Sequence, residues 1–336
     1  MTNEPTTPDA IMQLGMAFWG SKALLSAVEL GLFTTLAQGP LTGDTLTAKL
    51  GLQPRGTTDW LDALVSLGML ERAGGQYANT AATDLFLDRD KPSYVGGILE
   101  MANALLYPSW GSLSEALRTG RPHNEAKAGQ DFLAMFQDEA RLKQFLRAMT
   151  GLSMGAALAI AEKFPWDRYH TVIDIGAAEG CVPVQLAQRH PQLTGGGFDL
   201  PATRQFFEDY VASHGLADRL HFYPGDFFAD PLPPADVLIM GHILHDWSLE
   251  EKLALLRKAY SALPDGGALI VYESVIDDDR RANTFGLLMS VNMLIETNEG
   301  FDYTGADCRS WMAETGFRDS YAEPLAGPDS MVVGIK

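Results

Sequence analysis

From residue 171 onward the hydrophobic pattern alternates between two periods. Short continuous apolar runs, "TVIDIG", "TGGGFDL", "LHFYPGDF", "ADVLIMGHIL" and "ALIVYES", each read as a buried strand. Between them lie "CVPVQLAQRHP", "TRQFFEDYVASHG" and "SLEEKLALLRKAYSAL", whose apolar residues recur every three or four positions as in amphipathic helices. The last of these opens with Ser248 and Glu251 at capping-box spacing. Strand and helix in turn predict a mostly parallel, Rossmann-like sheet of the α/β class, with helices on both faces. The chain closes with "RDSYAEPL" and "DSMVVGIK", separated only by "AGP". So short a link allows only an antiparallel hairpin.

The first third follows another pattern. Residues 11–37, "IMQLGMAFWGSKALLSAVELGLFTTLA", predict one or two helices with little polar face, hence burial on nearly all sides. A small domain seldom buries such a helix alone, so a second copy of the chain is expected to cover it. Gln13, Lys22 and Glu29 interrupt the run, which falls short of a membrane span. Residues 41–87 then read as helix, turn at Gly51–Pro54, helix from about 57 to 68, and a hairpin through Gly74–Gly75, a winged-helix pattern. DNA binding is one reading of it. The second helix, however, carries Asp59 and Asp62 and no Lys or Arg, whereas phosphate contacts need positive charge. An association domain is the better expectation. Residues 88–125 read as loops around one further helix, a hinge between a domain at 1–105 and a second at 106–336.

Charge and composition narrow the class. The 336 residues hold 25 Lys and Arg against 43 Asp and Glu, a formal charge of −18 that opposes nucleic acid and anionic membranes as partners. Cys181 and Cys308 give neither a disulfide framework nor zinc spacing, which suits a cytoplasmic protein. The opening "MTNEPTTPDA" lacks the features of a signal peptide.

In a doubly wound sheet the ligand sits outside the carboxyl ends of the strands. The first turn there is Asp174-Ile-Gly176-Ala-Ala-Glu-Gly180. A dinucleotide would prefer a third glycine where Ala178 stands, and an acid before the turn would repel its pyrophosphate. A ligand ammonium would favour that acid. Asp199 ends the second strand, placed for ribose hydroxyls, and Asp226 follows the third, where an adenine would lie. Leu200, Gly225 and Phe227 flank these acids. An ammonium, a ribose and an adenine without phosphates describe S-adenosylmethionine, with S-adenosylhomocysteine as product.

"VIDIGAAEG", "GGGFDLP", "GDFF", "GHILHDWSLEEKLALLRKAYSALPDGGALIVYES" and the N-terminal pattern together resemble the caffeic acid O-methyltransferase-like family, which includes acetylserotonin and many bacterial small-molecule O-methyltransferases. The resemblance covers about residues 11–336. It implies S-adenosylmethionine as cofactor, homodimers intertwined through the N-terminal helices, and a small hydroxylated, aromatic acceptor. It also implies a histidine base in the HDW stretch, oriented by a glutamate on the next strand. Here these are His245 and Glu273, and Asp302 in "NEGFDYT" stands where the family has a second, longer glutamate. Glu296 and Glu299 are alternatives for that supporting role. Gly241 stands where plant members have a lysine near the adenine, so that contact is either absent or replaced, with His242 as the candidate. "FLRAMTGLS" matches the segment touching donor and acceptor, which makes Phe145 and Met149 pocket residues and Ser153 a ligand of the donor carboxylate. Met289, Asn292 and Met293 on "MSVNMLIE", with Asp246, are expected near the acceptor.

The residues support the same chemistry independently. His245 follows the fourth strand and Glu273 ends the fifth, so neighbouring parallel strands bring both to one rim. A hydroxyl is a poor nucleophile until it loses its proton. A neutral imidazole can take that proton, and a carboxylate on the other ring nitrogen fixes the tautomer and stabilises the cation. The expected rate therefore rises with pH through about 6–7. Methylation of sulfur, nitrogen or carbon is the alternative, and a thioether acceptor would not need the base. A ligand-sensing winged-helix regulator is a third reading. The acids of "IDDDRR" (276–281) read as a solvated loop, with no metal expected.

Overall fold

The computed structural model describes residues 6–91, 93–123 and 138–336. The segment 119–129, expected as loop, lies partly outside them. The chain divides into two compact units, Met1–Tyr107 and Pro108–Lys336.

In the first unit a helix spans Asp9–Glu29 and a short one Leu32–Leu36. The expected helix, turn, helix and hairpin follow: helices Gly43–Lys49 and Pro54–Ser66, the latter regular only from Thr57. Strands β1 (Leu41–Thr42), β2 (Leu70–Ala73) and β3 (Gln76–Asn79) form an antiparallel sheet in the order β1-β3-β2. Leu32, Phe33, Leu46, Leu61, Leu64 and Tyr77 make the core. Asp62 ties the second helix to the hairpin by accepting from Arg72 at 2.5 Å and from Tyr77 at 2.7 Å. In the single chain one face of the first helix is open, with Ile11 (76%), Leu14 (79%) and Trp19 (64%) exposed, the face expected to lie against a second copy. Residues 88–119 also hold more helix than loop, with Gly96–Met101, a π-helical turn Ala102–Leu106, Tyr107–Trp110 and Leu113–Thr119.

The second unit is built on seven strands: β4 (Thr171–Ile175), β5 (Thr194–Asp199), β6 (Leu220–Pro224), β7 (Val237–Gly241), β8 (Ala268–Glu273), β9 (Asp319–Pro324) and β10 (Ser330–Ile335). Their order is β6-β5-β4-β7-β8-β10-β9. β4 to β8 are parallel, and β10 runs antiparallel to both β8 and β9. All six residues of β8 are buried, because apolar layers cover both faces of the sheet. The helix Leu249–Ala262 begins with the expected capping box, Ser248 and Glu251 satisfying each other's main-chain N–H. Since β4 is followed by β5 on one side and flanked by β7 on the other, strand order reverses at β4 and a crevice opens above its carboxyl end. No helix among the described residues is long and apolar enough to cross a membrane.

Candidate active site

The turn after β4 is the first wall of that crevice. Gly176 has φ +78°, and a Cβ there would lie 2.4 Å from Ile243 Cδ1, so the backbone passes where no side chain fits. Gly180 caps the following helix Cys181–Arg189. Asp199 at the end of β5 spends one oxygen on the Ala178 N–H at 2.8 Å and the other on the Leu200 N–H at 2.7 Å. Its carboxylate is thus fixed over the turn, each oxygen keeping a lone pair for a ligand. Burial raises Asp199 to about 6 against these two hydrogen bonds. Burial, then the nearby Asp199, pushes Asp174 well above the usual carboxylate range. Two acids desolvated together on one rim make a place for a cation. The residues fit a sulfonium nucleoside that carries an amino acid: a backbone cradle at Gly176 and, in Asp199, a carboxylate whose two oxygens are both held in place.

Other expected ligands are placed less directly. Asp226 uses one oxygen to hold the turn through Phe228 N–H at 2.8 Å. Gly225 packs on the Phe198 ring, where a Cβ would lie 2.5 Å away. Phe227 packs edge-on against Trp247 with ring centroids 5.9 Å apart, so its side chain belongs largely to the core. Leu200 gives its main-chain N–H to Asp199. Ser153 is buried against the hydroxyl of Tyr272, which sequence reasoning missed. Tyr272 also explains Gly241, since a Cβ there would lie 2.0 Å from its ring. A lysine cannot take that position without displacing the tyrosine. His242 follows in the left-handed region (φ +54°), buried edge-on to Tyr272, with its Nε2 unpartnered. Burial, then the charge of His245, lowers His242 to about 3, so it is a neutral ring.

His245 lies in a one-turn helix, Leu244–Asp246, beyond β7. One potential ligand atom each from His245, Glu273 and Asp302 falls within a 4.8 Å cluster, all three residues buried. Their roles differ from the expectation. Glu273 Oε1 accepts from the main-chain N–H of His245 at 3.1 Å, whereas Asp302 Oδ1 lies 3.3 Å from the ring Nδ1. The carboxylate offers only acceptors, so Nδ1 carries the hydrogen and Nε2 is left to receive a proton. The carboxylate that meets the ring is therefore that of Asp302, despite its shorter side chain, and Glu299 is exposed. Ser290 reinforces Asp302 by accepting its main-chain N–H at 3.2 Å. Asp246 Oδ1 stands 4.0 Å from Nε2. Burial opposes the imidazolium, but Glu273, then Asp302 and Asp246, outweigh it and raise His245 to about 10. The surrounding carboxylates thus favour the protonated ring.

The acceptor-side residues fall on two stripes. Phe145, Met149 and Ser153 are four apart on the helix Glu139–Lys163. Met289, Asn292 and Met293 share a face of the helix Thr284–Glu296. Trp110 Nε1 donates to Asn292 Oδ1 at 2.8 Å, and Met293 is 4% exposed, closer to core than to lining. In the loop 276–281, Asp277 accepts from the main chain of Arg281, Ala282 and Asn283, and Asp278 from Ala306.

A mostly parallel sheet carries two buried acids, Asp174 and Asp199, at its switch point and a buried histidine beside two carboxylates at the same edge. Residues 12–89 match the O-methyltransferase dimerisation domain and residues 110–318 the O-methyltransferase domain. The chain belongs to the O-methyltransferase family, and with it is an enzyme that transfers methyl groups. It is 44% identical over 330 residues to the tetracenomycin polyketide synthesis 8-O-methyl transferase TcmO of Streptomyces glaucescens, covering 98% of this chain and 97% of the relative. It is 34% identical over 344 residues to the N,N-dimethyltransferase OxyT of Streptomyces rimosus, covering 100% of both. The structure of human N-acetylserotonin methyltransferase in complex with SAM aligns with a TM-score of 0.90 at 28% identity, covering 100% of this chain and 99% of that one.

Proposed function

We propose that the protein transfers a methyl group from S-adenosylmethionine to a hydroxyl of a small aromatic acceptor, with His245 as general base. The observation that carries this reading is the buried His245 ring, its Nδ1 committed to Asp302 and its Nε2 left to take a proton. When bound, the donor supplies a methyl group made electrophilic by a sulfonium charge. Asp199 binds ribose hydroxyls and Asp174 favours the ammonium. Gly176 lets the main chain approach. The acceptor hydroxyl gives its proton to His245 Nε2, and Asp302 and Glu273 stabilise the imidazolium. The ring must be neutral first, so the resting proton has to leave before each turnover. Phe145, Met149 and Met289 offer apolar contacts suited to a ring, and TcmO and the human enzyme are named for a polyketide synthesis and for N-acetylserotonin.

The likeness to OxyT favours methylation of nitrogen as a second reading. The two are separated by incubating the enzyme with trideuteromethyl-labelled donor and a panel of phenols, carboxylic acids, amines and thioethers. Labelled methyl ethers of phenols support the proposal, and labelled amines alone would replace it. We also infer a homodimer, in which a second copy covers the exposed apolar face of helix Asp9–Glu29. Light scattering of wild type should give two chains, and W19E should shift it toward one. A wild type that is monomeric at micromolar concentration would refute this.

A further inference from the structure

Asn292 is 6% exposed in the middle of the helix Thr284–Glu296, where a leucine would favour the helix more and carry no polar group to satisfy. Its amide is held from one side: Trp110 Nε1 donates to Oδ1 at 2.8 Å. An indole N–H can only donate, so the amide atom that faces it has to be the oxygen, and the NH₂ group is turned the other way. The reverse orientation would set two donors against each other. Nδ2 makes no hydrogen bond to a described residue, yet it is not sealed as His242 Nε2 is. A buried asparagine thus keeps two oriented donors that only water or a ligand can use. Its helix packs against the one-turn helix that carries His245, and Ser290, two residues before Asn292, accepts from the Asp302 N–H at 3.2 Å. Trp110 is anchored on the same helix, because the helix Leu113–Thr119 that follows it packs there and His123 N–H donates to Ile295 O at 2.9 Å.

We propose that Trp110 is a positioning residue that turns the Asn292 amide so that its NH₂ group binds a carbonyl oxygen of the acceptor, which makes the acceptor a hydroxyaryl ketone or quinone. The proposal rests on the reading of the protein as an aromatic O-methyltransferase. His245 Nε2 meets a hydroxyl that has a hydrogen to give. Asn292, held in this orientation, meets an oxygen that has none. A ring with a carbonyl beside its hydroxyl matches both demands, whereas a plain phenol leaves the buried NH₂ unpaired. Free in solution, such a carbonyl accepts the hydrogen of the neighbouring hydroxyl. Asn292 competes for that carbonyl and so eases transfer of the hydrogen to His245.

The test compares 2′-hydroxyacetophenone with 2-ethylphenol, in which CH₂ replaces the carbonyl, and reads the ratio of their kcat/KM values. One neutral hydrogen bond should make the wild type favour the ketone by about twofold to twelvefold. In N292D an oxygen still accepts from Trp110 but the NH₂ donors are gone, so the ratio should fall to about one or below. In W110F the amide is free to turn. With two orientations of equal weight only half of it is competent, so the ratio should fall by about twofold or more. A W110F variant slowed on both probes alike would make Trp110 a packing residue and overturn the proposal. So would a wild type without preference for the ketone, or an N292D variant that keeps it. If W110F fails to fold, NMR of wild type with isotopically labelled asparagine and tryptophan decides. Adding 2′-hydroxyacetophenone should shift the Asn292 NH₂ resonances while the Trp110 indole N–H stays slow to exchange. Unmoved Asn292 resonances, or an indole N–H that exchanges freely, would overturn the proposal. Absence of a methyl ether from both probes would instead sink the parent reading of an aromatic hydroxyl acceptor, while the NMR titration still answers for Asn292 and Trp110.

Discussion

Asp302 is the residue on which sequence and structure assign roles most differently, and its substitution discriminates between them. Its Oδ1 lies 3.3 Å from His245 Nδ1 and its Oδ2 has no hydrogen-bond partner. In D302N the amide can therefore turn its nitrogen into the Oδ2 position and keep an acceptor for Nδ1–H. Only the charge is lost. A hydrogen bond to a charged group contributes about 1.5–3 kcal/mol, and 1.36 kcal/mol is tenfold in rate, so D302N should lower turnover by about 10–150-fold. D302A removes the acceptor as well and leaves a buried N–H unsatisfied, which costs roughly 1–3 kcal/mol more. A further loss of about fivefold to 150-fold follows. The assay is single-turnover methylation at saturating donor, on the alkaline plateau where the ring is neutral in every variant. D302N should also move the acid limb to lower pH, because a group that raises His245 is gone. If both variants stay within about threefold of wild type while E273Q is crippled, Asp302 does not orient the ring and Glu273 regains that role.

Donor affinity and stability give two further tests. D199N must point its amide NH₂ at the N–H of either Ala178 or Leu200, since both Asp199 oxygens accept. S-adenosylmethionine should bind about tenfold or more weakly by calorimetry, and unchanged affinity in a folded variant would remove Asp199 from the donor site. The ligand-free protein should lose stability as pH rises. His245 is raised from 6.5 to about 10, so its contribution is full below about 6.5 and is lost as pH climbs through 10. Burial raises Glu273 from 4.5 to about 7, which adds a fall in the same direction at lower pH. Melting curves of H245F should lack the alkaline slope, and an identical slope would show that another group titrates.

Much of the fold was legible because period and burial coincide: β8 is apolar throughout because both of its faces are covered, and Ser248 and Glu251 announce their helix in four residues. The rim residues were legible too, since glycines and acids at strand ends have few structural uses. What pattern could not show was which carboxylate meets which nitrogen. The strand register brings Glu273 to His245, but the turn geometry gives it the main-chain N–H and leaves the ring to Asp302. Tyr272 was read only as strand, though its ring excludes a side chain at Gly241.

The most direct test of the account is the turnover of H245A on a phenolic acceptor at saturating donor. A positioned base contributes about 10²–10⁴-fold, so H245A should lose that much while donor affinity stays near normal. Wild-type rate should rise with pH above neutrality, toward the value of about 10 to which His245 is raised. A phenol already ionised at the assay pH should partly restore H245A, because it no longer has a proton to give. H245A turning over at near wild-type rate on a neutral hydroxyl would contradict base-assisted O-methylation.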